Sequence, residues 1–180
     1  MAGTLTVQNI QGPASGANAN KIIIPSGQTL SVTDGVQPID LPAGSTLQMQ
    51  TAQSISSGTI STLSTSFVDS GIGVSITAIH TGSRFRVSFV APMSHANLDE
   101  LMVNVWRNDV GLRGVNFSFG YQNDGQNQYQ PTVIDYLDTS TATAGTTYQY
   151  KIYFLSRFGS QVQLVHNASG YYLTVEEIKQ

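Results

Sequence analysis

"RFRVSF", residues 84–89, decides how this chain is read. Phe85, Val87 and Phe89 alternate with Arg84, Arg86 and Ser88. A period of two puts the three apolar side chains on one face of a strand and the charged ones on the other. The same alternation recurs on both sides of it. Val74–Ala78 sets Val74, Ile76 and Ala78 together, and Leu101–Arg107 sets Leu101, Val103 and Val105 opposite Met102, Asn104 and Trp106. In Thr147–Leu155, Tyr148, Tyr150, Ile152 and Phe154 share a side. Asn116–Tyr121, Pro131–Leu137, Gln161–His166 and Tyr171–Ile178 complete the set of expected strands. The joints between them hold turn formers: Thr81-Gly82-Ser83, Arg107-Asn108-Asp109, Asn123-Asp124-Gly125 and 167–170. Pro92–Glu100 is expected to hold one short helical turn capped by Asn97. Short strands joined by such turns predict an all-β protein, an antiparallel β-sandwich.

Composition agrees. Of 180 residues, 40% are hydrophobic and 11% charged, and the charged share is under half of the usual quarter. The polar remainder is Ser, Thr, Gln, Asn and Gly. Val, Ile, Thr, Tyr and Phe, which fit a pleated and half-buried surface, recur throughout. The net charge is −3, with no cluster of Lys and Arg, which argues against a nucleic-acid backbone as partner. No apolar run approaches the length of a membrane span. The start, MAGTLTVQNIQG, lacks the basic and apolar regions of a signal peptide, so synthesis in a cytoplasm is expected. There is no cysteine. The fold is therefore expected to rest on its core or on oligomerisation.

Charge divides the chain. From Met1 to Ser61 only Lys21, Asp34 and Asp40 are charged, and Gln53–Gly58 reads as a linker. The expected organisation is an assembly arm over 1–58 and a sandwich head over 59–180. Within the arm, Thr4–Gln8, Lys21–Ile24, Thr29–Val32 and Thr46–Gln50 read as short strands. The unit Ile24-Pro25-Ser26-Gly27-Gln28-Thr29-Leu30 returns as Leu41-Pro42-Ala43-Gly44-Ser45-Thr46-Leu47. Some sixty residues with few large apolar side chains are marginal as an independent domain. Ile22, Ile23, Ile24, Leu30, Leu41 and Leu47 are therefore expected to pack with equivalent residues of other copies around a common axis. In the head, Met102, Trp106, Tyr153 and Leu155 make strands apolar on both faces, which also points to cover by a copy of the same chain.

Catalytic chemistry is thin. His80, His95 and His166 stand far apart without metal-ligand spacing, and no G-x-S-x-G elbow or phosphate-binding glycine loop occurs. Among carboxylates, Glu176 and Glu177 point to opposite faces of a strand, Asp99-Glu100 reads as a solvated pair where a strand begins, and Asp138 reads as a turn residue near Asp135. No enzyme, cofactor or metal is expected. The stretch that reads as a recognition loop is 120–130, GYQNDGQNQYQ. Amides both donate and accept, and tyrosine rings stack on sugar faces. Tyr121, Asn123, Asp124, Gln126 and Tyr129 are the candidate ligand-binding residues.

The opening TLTVQNIQGPASGANANKIIIPSGQTL resembles the N-terminal segments of virion structural proteins from tailed phages of cyanobacterial and aquatic hosts. TSFVDSGIGVSITA, VIDYLDTSTATAGTTYQYKIYF and YYLTVEEIKQ are similar to the jelly-roll ends of the same proteins. The resemblance implies a non-enzymatic homotrimer on a particle surface, tail-fibre-like or tail-associated, with a jelly-roll head facing host envelope glycans. Its implied partners are its own copies and other virion proteins of the tail or the major capsid shell. With only two proline–glycine units ahead of the head, a capsid-decorating (cement) trimer is the alternative. A free lectin-like binding module is a further one.

Overall fold

The computed structural model describes residues 15–16, 41–55, 58–96, 98–119, 128–165 and 170–180, with the backbone alone for 113–116, 119, 128–130 and 132. The chain divides into two compact units, Met1–Gln37 and Pro38–Gln180.

Among its described residues the second unit has ten strands: β1 (Thr46–Ser54), β2 (Ile60–Thr62), β3 (Val68–Thr77), β4 (Arg84–His95), β5 (Leu101–Arg107), β6 (Val110–Phe119), β7 (Gln128–Asp138), β8 (Thr147–Ser156), β9 (Val162–Val165) and β10 (Tyr171–Ile178). All pairings among the described residues are antiparallel. One sheet runs β1-β10-β4-β9-β2 with β7 on the far side of β4, and the other runs β3-β8-β5-β6. The pairs β1–β10, β2–β9, β3–β8, β4–β7 and β5–β6 are nested one inside the next. The chain thus forms one long hairpin, and β10–β4 and β5–β8 are the contacts made when that hairpin rolls up. This is jelly-roll order, and the expected antiparallel sandwich is the fold of the protein.

The hairpin turns at Asn108-Asp109, where both residues have positive φ (50° and 61°), as a two-residue turn matched to strand twist requires. The core is the inward set of both sheets. Phe85, Val87 and Phe89 of β4, Leu101, Val103 and Val105 of β5, and Tyr150 and Ile152 of β8 are fully enclosed. Each large side chain buried this way contributes roughly 1.5–3 kcal/mol, and alternation on every strand is what brings them together.

Two expectations are corrected. The sandwich unit begins at Pro38, not near residue 59, because 46–54 pairs with β10 from Thr46 opposite Ile178 to Ser54 opposite Tyr171. The helical turn expected within Pro92–Glu100 is absent among the described residues: β4 runs on to His95, and a loop follows it. Proline is tolerated there because β10 has ended opposite Val90 and β9 begins only opposite Ser94, so the ladder is already open around Pro92. β3, which takes in most of the expected Val74–Ala78, already starts at Val68 and is bent at an irregularity between Asp69 and Gly73, where Gly71 has φ 75°.

Candidate functional site

Strand directions give the sandwich two ends. At the proximal end β1 starts, β10 finishes, and the β3–β4, β5–β6 and β7–β8 connections lie together. At the distal end lie the β2–β3, β4–β5 and β8–β9 connections, and there β6 stops and β7 starts.

Each end is organised by buried carboxylates. At the proximal end Glu177 is fully enclosed without a cation among its described partners. It accepts hydrogen bonds from Ser83 Oγ, from Gln48 Nε2 at 2.6 Å, and from the backbone N–H groups of Ile79 and His80 at 3.0 Å each. Burial disfavours its ionised form, but these donors outweigh it and hold the carboxyl below its ordinary range. Its work is to fasten the β3–β4 turn. Beside it Asp138 of β7 accepts from Arg107 Nη1 at 2.7 Å, Tyr150 Oη at 2.8 Å and the Ser140 N–H at 3.0 Å. Burial first, and the negative Asp138 second, push the Tyr150 hydroxyl far above its usual range. Tyr150 therefore stays a proton donor.

At the distal end Asp99 is also fully enclosed. It accepts from Ser156 Oγ (2.6 Å) and from the N–H groups of Glu100 (2.6 Å), Phe158 (3.0 Å) and Ser160 (2.6 Å). Burial opposes the charge here too, and the four donors prevail, holding its pKa down. The sequence reading of Asp99 as a solvated acid is corrected: it ties the β4–β5 loop to the β8–β9 loop. Those loops, and the β2–β3 loop joined to them through the Ser156 N–H and Ser64 O, carry Leu98, Phe158 and Leu63, all exposed. Leu98 is held at φ 60°, a conformation leucine rarely adopts. His95, enclosed at the end of β4, sets Nδ1 against Ala96 O and leaves Nε2 without a partner among the described residues.

The other carboxylates divide differently. Asp135 lies in an exposed two-pronged pair with Arg86, Nε to Oδ1 at 2.8 Å. It is not part of a catalytic dyad with Asp138, whose oxygens are engaged in the interior. Glu176 faces outward while Glu177 faces inward, as alternation requires. A shallow cleft of about 200 Å³ opens at the bend of β3, lined by Asp69, Gly71, Gly73, Gln149 and Lys151. The Lys151 ammonium there is held by Asp109 at 2.7 Å and Asp69 at 3.3 Å.

On the outer face of the β3-β8-β5-β6 sheet, large apolar side chains meet one another. Trp106 stacks on Tyr153 with ring centroids 3.9 Å apart, and Leu155 is 8% exposed. Met102, Trp106 and Tyr153 on that face remain partly exposed. Exposed apolar residues gather on the other sheet, where Tyr172, Val90 and Val133 stand side by side across β10, β4 and β7.

Of the recognition residues, Tyr121, Asn123, Asp124 and Gln126 lie outside the described residues. Tyr129 is described by its backbone alone, opposite Ser94 in β7. Of the arm residues, Ile22, Ile23, Ile24 and Leu30 also lie outside, Leu41 is exposed, and Leu47 is half-buried in β1. Sequence reasoning did not single out Glu177, Asp99 or Asp138 as anchors. The available signal was position: each acid sits where a strand meets a loop rich in N–H and hydroxyl donors. No protein-family model matches the chain, and no curated protein matches it either.

Proposed function

We propose that this chain is a non-enzymatic surface protein of a tailed-phage virion. It acts as a homotrimer, tail-associated and fibre-like, with its leader fixed to the particle and its sandwich turned toward the host envelope. The observation that carries this reading is the opposition of the two ends. The sandwich unit starts at the proximal end, while β6 and β7, which bracket the amide- and tyrosine-rich stretch Tyr121–Tyr129, stop and start at the distal end. Loops on a rigid β-scaffold are where binding residues concentrate. The buried acids support the same reading. Glu177, Asp99 and Asp138 are engaged by internal donors that hold loops in place, an arrangement that serves a rigid platform. The phage-like segments of the sequence supply the particle.

Gold-labelled antibody against the sandwich, applied to particles and imaged by electron microscopy, tests the proposal. Label on the tail in few copies, with loss of adsorption when Tyr121 and Tyr129 are replaced by Ala, is the expected result. Label over the whole head shell in many copies would replace it with the capsid-decorating reading. Absence from particles would leave a free binding module.

A further inference from the structure

The sandwich has four long edge strands, and three are visibly protected against pairing with another chain. β7 carries Pro131 and Asp135. β3 carries Asp69, and its register breaks between Asp69 and Gly73. β6 carries Arg113 with Gly111 and Gly114. Prolines, charges, bulges and glycines are the usual devices that keep a sheet edge from adding a strand. β1, TLQMQTAQS, has none of them beyond an irregularity at its very start, and from Gln48 to Ser54 it pairs with β10 without a break. On its other side no strand pairs with it among the described residues. Alternate N–H and C=O groups of an antiparallel strand point to each side, so seven uncharged residues present an open ladder, with Met49 more than half exposed.

We infer that the free edge of β1 is an assembly edge, covered by a leader strand from a second copy of this chain. This rests on the homotrimer reading above and names the contact within it. Two observations select the occupant. First, the leader, residues 1–37, is charge-poor like the edge, with only Lys21 and Asp34, and its expected strands 21–24 and 29–32 carry one charge, Lys21, between them. Second, the chain reaches β1 through a tight turn tied to the opposite side. Ser45 N–H donates to Pro42 O, Gly44 takes φ 88°, Gly44 N–H donates to Lys179 O at 2.7 Å, and Lys179 N–H donates to Ser45 O at 2.9 Å. These bonds fasten the approach on the β10 side, and none of them uses the far edge of β1. Main-chain bonding along β1 then gives affinity, and Met49 and Gln53 beside the added strand give register.

The test is amide hydrogen exchange of the full chain, together with its mass by light scattering. The wild type is expected to have the mass of several copies, with both sets of β1 amides protected. Thr51→Lys with Gln53→Lys places two charges on the edge strand, and Ile23→Pro breaks the expected donor strand. Each change is expected to weaken association by roughly tenfold or more and to free one set of β1 amides, while the β4 and β8 amides stay protected. Assembled protein whose outward β1 amides exchange freely overturns the inference and leaves the homotrimer reading standing. Protected β1 amides in a particle with the mass of one chain overturn both.

Discussion

Tyr150 of β8 donates its hydroxyl hydrogen to Asp138 of β7 at 2.8 Å, a side-chain bond from one sheet of the sandwich to the other. Arg107 of β5 reaches the same oxygen at 2.7 Å and lies over the ring of Tyr148, 5.7 Å from its centroid. The phenol and the carboxylate are both buried, so the bond is shielded from water. Tyr150→Phe keeps the packing against Phe85 and removes only the donor. It is expected to lower unfolding free energy by about 1–3 kcal/mol, measured by urea denaturation. Unchanged stability would mean that Arg107 and the Ser140 N–H suffice to satisfy Asp138.

Glu177 and Asp99 set the acid limb of stability. Their folded-state pKa values lie below the ordinary carboxylate range, while the unfolded chain keeps values of about 4. The unfolded state therefore takes up protons first as pH falls. The stability these groups contribute is complete above about pH 5 and is lost as pH drops through the folded-state values. Glu177→Gln removes part of that slope and costs about 1–3 kcal/mol at neutral pH, because its amide nitrogen cannot accept and must face a donor, Gln48 Nε2 in one orientation or Ser83 Oγ and the His80 N–H in the other. Denaturant midpoints measured from pH 7 to pH 3 check both statements.

Gly170 directly precedes β10, and a Cβ there would collide with the carbonyl oxygen of Ser54 and press on the Ile55 backbone. Neither neighbour can rotate away, as a side chain could. Gly170→Ala is expected to push β10 off β1 at that end and destabilise by about 1–3 kcal/mol. Faster hydrogen exchange at Gln53 and Ser54, ahead of the rest of the sheet, is the accompanying sign.

Trp106 is the only tryptophan in the chain, so its fluorescence reports on one place. Tyr153→Ala removes the ring that covers it and is expected to shift emission to the red. Gly111→Ala, whose added carbon would approach the indole to 3.2 Å, is expected to perturb emission without exposing the ring. An unshifted spectrum in Tyr153→Ala would mean that something beyond this chain covers the indole.

The alternation around Phe85, Leu101 and Tyr150 made the sandwich legible, because a buried face must repeat every second residue whatever its partner is. The ends of strands were less legible. β4 runs on past Phe89 because Ala91 and Met93 keep to the buried face and β7 pairs it without a break as far as His95, while Val90 and Pro92 between them blur the alternation in the sequence. The arm was drawn too long because 46–54 carries little apolar mass, and it is held instead by β10, more than a hundred residues away. For the anchors Glu177 and Asp99 only their position at strand ends was legible, since most of their donors come from segments distant in sequence. The stacking of Trp106 on Tyr153 was hidden for the same reason, as periodicity places a residue on a face without saying what its neighbour does there.

The nesting of the strand pairs also orders events during synthesis. Nothing can pair until the chain has passed the Asn108-Asp109 reversal, and from then on strands find partners in the reverse of the order in which they emerged. β1, among the first made, waits until β10 has left the ribosome. For most of its elongation the nascent chain therefore carries a bare, uncharged strand on both flanks, and crowding of ribosomes on one message would bring such strands from sibling chains together before any has closed.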